Sequence, residues 1–193
     1  MTRATLGSVP RLVLMGLRCA GKSTVARLLA ERTGLGWEDL DDRTAQLMGV
    51  PSAGEGIVRQ GLAAFRDAES RSLRQALEGP GGAAIVALGG GTPTAPGAAG
   101  LLRSARAAQG PGRAVVVYLH APAWVLAARM RAGGAAGRPA LLNDPGRSAA
   151  DEVSQLYEQR DGLYRELADA VVEVGDAQQG RILSAVTAAW GIG

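Results

Sequence analysis

The chain has 193 residues and a formal net charge of +3, enough for one compact domain with a sizeable core. Nearly half the residues are apolar, which argues against a disordered chain, and the basic residues never form a block, which argues against a nucleic-acid-binding tail. A single cysteine cannot form an internal disulfide, no apolar run reaches transmembrane length, and the first residues hold too short an apolar run for a secretory leader. A monomer in a reducing cytoplasm, without nucleic-acid or membrane partners, is the expectation.

In chain order, "RLVLMG" (11–16) reads as a short buried strand, and "KSTVARLLAERTG" (22–34) as a helix that stops at Gly34. "GWEDLDD" (36–42) reads as a short strand with a carboxylate-rich end. Helical spacing runs from Leu62 to Leu77, followed by a buried strand in "AAIVALGGG" (83–91) and a helix opened by Pro96, roughly 97–108. "RAVVVYLHA" (113–121) is the strongest strand, being rich in β-branched residues. A helix in "APAWVLAARMRA" (121–132) precedes a glycine-rich stretch, 133–147, that reads as a mobile lid. A long amphipathic helix (149–169), a last strand "AVVEVG" (170–175) and a last helix (178–190) complete the pattern. Strands alternating with helices predict a three-layer α/β/α domain spanning 1–193, with a five-stranded parallel sheet covered on both faces.

Gly16-x-x-x-x-Gly21-Lys22-Ser23 matches the phosphate-binding pattern G-x-x-x-x-G-K-S/T in its required context, strand before and helix after. Backbone N–H groups of such a loop, at a helix N-terminus, bind phosphate oxygens, and glycines let the backbone approach them. Lys22 is the only lysine in a chain that uses arginine everywhere else. A compact ammonium on a flexible stem follows β- and γ-phosphates where a planar guanidinium is larger and directionally fixed. Ser23 can coordinate Mg²⁺. Cys19, inside the loop, is either an activated thiol or a small side chain filling a tolerant position.

The carboxylates Asp39, Asp41 and Asp42 follow the second strand. If the segment is extended, Asp39 and Asp41 point the same way, one toward Mg²⁺ through water and one toward an acceptor hydroxyl. The alternative is a solvated acidic loop, with a helix N-cap at Asp41 or Asp42. His120, at a strand end, reads as structural, and Trp37, Trp124 and Trp190 as packing residues.

With these residues in view, the chain resembles the shikimate kinase family, within the P-loop, nucleoside-monophosphate-kinase-like group, from about Leu12 to about Val174. The likeness lies in "GLRCAGKST", "DLD" (39–41), "FRDAE" (65–69), "GGG" (89–91), "RP" (138–139) and "RDGLYRELAD" from Arg160. The resemblance implies ATP-dependent phosphorylation of the 3-hydroxyl of shikimate. Gly16, Cys19, Ala20, Gly21, Lys22, Ser23 and Thr24 would serve the ATP phosphates, with Ser23 and Asp39 at Mg²⁺. Asp41, Arg66, Gly89, Gly90, Gly91 and Arg160 would hold shikimate. Arg138 would be a lid arginine closing over the transferring phosphate, and Arg131 would pack on adenine. Lys22, Asp41 and Arg138 would carry catalysis. The chain departs from the family pattern at Cys19, Arg18, Leu62 and Gly162, none of them an implied catalytic group. The alternatives are another small-molecule kinase of this fold, such as a gluconate kinase, and a non-catalytic ATP-binding regulator.

Overall fold

The computed structural model describes residues 9–79, 81–132 and 149–192. Its centre is a five-stranded parallel sheet: β1 (Arg11–Met15), β2 (Trp37–Asp39), β3 (Ile85–Ala87), β4 (Ala114–His120) and β5 (Ala170–Glu173), in the spatial order β2-β3-β1-β4-β5. Leu12 to Leu14 pair with Ile85 to Ala87 on one side of β1, and Arg11 to Met15 with Ala114 to Tyr118 on the other. Every residue of β3 and β4 is buried. That is why these strands read as continuous apolar runs and not as alternation: both faces are covered.

Helices α1 (Lys22–Thr33) and α7 (Gln179–Trp190) pack together on one face. The other face carries α3 (Ala53–Glu78), α4 (Ala98–Ala107) and α6 (Ala149–Leu167), and α5 (Ala123–Ala132) lies against α6. Gly34 ends α1 in the left-handed conformation, its N–H returning to Ala30 O, as the sequence predicts. Trp190 is buried and its indole Nε1 donates to Pro10 O at 2.7 Å, so the packing role expected of it holds, whereas Trp37 and Trp124, read the same way, are exposed.

Three elements differ from the sequence reading. A helix, α2 (Leu40–Met48), begins directly after β2, because the Asp39 side chain accepts the Asp41 N–H and caps it. The extended segment expected to continue to Asp42 therefore ends at Asp39. Helix α3 starts at Ala53, with Ser52 as its N-cap, and is broken at Gly61 (φ 85°, ψ 159°) into two pieces, of which the spacing reveals only the second. A 3-10 turn, Thr92–Thr94, intervenes before Pro96, and the N-cap of α4 is Gly97. The expected lid, 133–147, lies outside the described residues.

Candidate active site

The loop between β1 and α1 stands at the carboxyl ends of the parallel strands, where α/β sheets bind ligands. It passes so close to β4 that a Cβ on Gly16 would lie 2.6 Å from Leu119 O, which explains the glycine. Gly21 is the N-cap of α1. Cys19 has φ 63° and is the only non-glycine with positive φ among the described residues. The Lys22 side chain is buried, and its Nζ donates to Leu17 O at 3.0 Å. The ammonium is thus folded into the cradle that its own loop forms.

Asp39 bridges two elements. Besides capping α2 it accepts a hydrogen bond from Ser23 Oγ at 2.5 Å. The two residues implied at Mg²⁺ are therefore adjacent, one hydroxyl and one carboxylate. Hard oxygen donors in that small number suit Mg²⁺, which takes one or two protein ligands and fills its octahedron with water and phosphate oxygens. No cluster of three or more His, Cys, Asp or Glu that would hold a metal on protein ligands alone occurs among the described residues.

Asp41 faces the same cavity from the first turn of α2 and not from an extended strand. Its pKa is pushed up to about 6, first by desolvation and then by the carboxylates of Asp39 and Glu69, against the opposing pull of Lys22 and Arg18.

Across the cavity, Arg66 on α3 pairs with the buried Glu69 one turn later. Glu69 also accepts from Thr92 Oγ1 at 2.5 Å, so one carboxylate fixes both the arginine and the turn after β3. Glu69 is 1% exposed, so this i, i+3 pair is not an ordinary surface ion pair. The turn itself needs glycine for space: a Cβ on Gly89 would strike the Asp41 and Glu69 carboxylates, and one on Gly91 the Arg66 guanidinium. Arg160 on α6 is buried and donates from Nη1 to Gly90 O at 2.8 Å; Tyr164 Oη donates to the same carbonyl at 2.8 Å. Burial lowers the Arg160 pKa, and the nearby Arg66 lowers it further. Burial likewise pushes the Tyr164 phenol up to about 12. Asp41, Arg66 and Arg160 thus meet at the Gly89–Gly91 turn, and Asp41 and Arg66 line the cavity that the phosphate loop also borders. That cavity, about 510 Å³, is lined by Lys22, Ser23, Asp39, Asp41, Arg66 and Gly91 among others.

Arg131 donates from Nε to Ala127 O of its own helix at 3.3 Å. Its neighbour Arg129, which sequence reasoning did not single out, reaches further. It donates to Val174 O at 2.5 Å, Gly175 O at 2.8 Å and Cys19 O at 3.3 Å, tying the phosphate loop to the loop after β5. Thr92 and Arg129 carry no local motif that would have found them, whereas Tyr164 lies inside "RDGLYRELAD", where only Arg160 is assigned a role. Arg138 lies outside the described residues. His120 has both ring nitrogens engaged, by Glu173 at 2.6 Å and Tyr157 Oη at 2.8 Å, in keeping with a structural role. Among the described residues no helix is long and apolar enough to cross a membrane.

The shikimate kinase family model matches residues 18–190. The chain is 38% identical to a shikimate kinase of Nitratidesulfovibrio vulgaris over 181 residues, covering 93% of this chain and 95% of that one. It is also 38% identical to a shikimate kinase of Streptomyces coelicolor over 182 residues, covering 94% of each. Its fold matches that of a shikimate kinase from Acinetobacter baumannii, solved in complex with shikimate, with a TM-score of 0.72 and 27% identity over 95% of this chain and 92% of that one. A phosphate loop with its lysine in place, a carboxylate at the start of α2 and two arginines meeting at a glycine turn therefore accompany an end-to-end likeness in sequence and fold: the chain belongs to the shikimate kinase family of ATP-dependent transferases.

Proposed function

We propose that this chain transfers the γ-phosphoryl group of ATP to the 3-hydroxyl of shikimate, giving shikimate 3-phosphate and ADP. The observation that carries this reading is the meeting of Asp41, Arg66 and Arg160 at one glycine turn beside the phosphate loop. Shikimate is a carboxylate with three hydroxyls. Two guanidiniums clamp the carboxylate by forked hydrogen bonds, and a carboxylate aligns hydroxyls. Two arginines, Arg160 buried and Arg66 partly so, suit an anionic acceptor; gluconate is an acid too, so it is the end-to-end likeness to shikimate kinases that favours shikimate.

In this mechanism the loop N–H groups and Lys22 hold the donor phosphates, and Lys22 exchanges its bond to Leu17 O for phosphate oxygens. Ser23 and Asp39 would hold Mg²⁺, which would supply positive charge against the negative charge that develops during transfer. Asp41, ionised above its raised pKa, accepts the proton of the attacking hydroxyl or orients it. Glu69 fixes Arg66 and, through Thr92, the turn. Arg131 would pack on adenine, and Arg138 would close over the transferring phosphoryl from the lid. The reaction then requires mainly positioning and cation stabilisation. The reading includes a monomeric cytoplasmic enzyme, and gel filtration checks the first part.

The test is ADP release in a coupled assay with a panel of hydroxy acids. ADP should form only when shikimate is present, and Lys22→Ala should lower turnover at least a hundredfold. Phosphorylation of gluconate or a nucleoside monophosphate with no turnover of shikimate overturns the reading.

A further inference from the structure

The mechanism above gives no part to Arg18, yet Arg18 lines the same cavity as Lys22, Asp41, Arg66, Gly90 and Gly91. It is the third residue of the phosphate loop, counted from Gly16. Its stem lies on the glycine turn: a Cβ on Gly90 would stand 3.1 Å from Arg18 Cγ and 3.1 Å from its backbone N. Its head reaches toward α6, with Nη1 4.0 Å from Oε1 of Glu152, a buried residue in the first turn of that helix. Arg18 and Arg160 therefore flank the same peptide, one from the phosphate loop and the other through its bond to Gly90 O.

This placement divides the cations of the cavity by task. Arg66 lines the cavity from α3, and Arg160 reaches the glycine turn from α6 through its bond to Gly90 O, while the turn itself abuts the backbone of the phosphate loop at Leu17 and Arg18. Lys22 is set inside the loop. Arg18 stands between the two groups, on the loop but with its stem along the glycine turn. An acceptor with a single carboxylate is served by the first pair, and donor phosphates by the loop and Lys22. A cation in the intervening position meets the phosphoryl group once it has left the loop and become an ester on the acceptor. A guanidinium suits that encounter, because its fork binds two phosphate oxygens at once.

We propose that Arg18 is a binding residue for the transferred phosphoryl group, gripping the phosphomonoester of the product while Arg66 and Arg160 hold its carboxylate. The inference rests on the acceptor assignment made above. A mere brace between the loop and Glu152 would act differently, loosening the loop and weakening ATP and product together.

Calorimetric titration separates the two roles. Shikimate, shikimate 3-phosphate and the non-hydrolysable analogue AMP-PNP are each titrated into the full-length parent, Arg18→Gln and Arg18→Lys, with melting temperatures recorded alongside. Arg18→Gln should weaken shikimate 3-phosphate at least tenfold while shikimate and AMP-PNP change less than threefold. Arg18→Lys, which keeps the charge and loses the fork, should weaken the product three- to tenfold. Should Arg18→Gln fail to fold, Arg18→Lys decides by itself. Product affinity within a factor of two of the parent in the folded variants, or an equal loss for all three ligands, overturns the proposal. A parent protein that turns over no shikimate sinks the acceptor assignment instead, so the two failures are told apart.

Discussion

Asp41 carries a pH signature that follows from its neighbours. Its raised pKa means that the folded protein holds this proton more tightly than the unfolded chain does. Stability associated with the protonated form is fully present below about pH 4 and is lost as pH rises through about 6. Asp41→Asn should therefore raise the melting temperature at pH 8 by roughly 2–4 °C, for a gain of about 1 kcal/mol, and leave it nearly unchanged at pH 4. The same variant should be inactive, and the parent kcat/KM for shikimate should fall on the acid side with an apparent pKa near 6. A flat profile between pH 5 and 8 would remove Asp41 from the proton path. Arg160 makes a different statement. Arg160→Ala should raise KM for shikimate by about ten- to a hundredfold with a smaller change in kcat, the pattern of lost acceptor binding, since a charge-assisted bond contributes about 1.5–3 kcal/mol. KM for ATP should stay within threefold in the same assay.

At the scale of elements, two glycines test two different physical demands. Gly61 interrupts α3 at positive φ with open space around its missing Cβ, so Gly61→Ala is strained by backbone conformation alone. A loss of about 1–3 kcal/mol in urea unfolding is expected, with little effect on KM. Gly91 has φ −124°, which alanine adopts freely, but its Cβ would enter the Arg66 guanidinium. Gly91→Ala should keep the protein folded and raise KM for shikimate at least tenfold by displacing that arginine. The same contrast explains what the sequence discloses. The phosphate loop, the five strands and α1 announce themselves through a local pattern. Helix α2 does not, because its cap is a strand residue, Asp39, whose role depends on where β2 stops. The first piece of α3 is hidden by glycines at 54, 56 and 61, which weaken any helical reading. Glu69, at a spacing typical of a surface ion pair, shows its burial only when α3 is laid against the 3-10 turn and Thr92. Arg129 is legible only in three dimensions, since its partners are the backbone carbonyls of residues 19, 174 and 175.

For the whole molecule, the sequence pattern specifies a parallel sheet covered on both faces but not the order of its strands, which is set by which edges pair. That order puts β1, the earliest strand, in the middle, where it meets β3 and β4, with the latest strand at the far edge beyond β4. The bond from Trp190 to Pro10 O then joins positions 180 residues apart, immediately before that central strand. Its consequence is temporal. On a ribosome adding about 5–20 residues per second, Pro10 waits roughly ten seconds or more for the partner that seals it. The seal is thus a late event, and late contacts govern escape from the native state more than entry to it. Trp190→Phe keeps the buried ring and deletes the donor, a loss of about 0.5–1.5 kcal/mol. In stopped-flow experiments this variant should unfold faster and refold at the parent rate; slowed refolding would show that the two distant ends meet early.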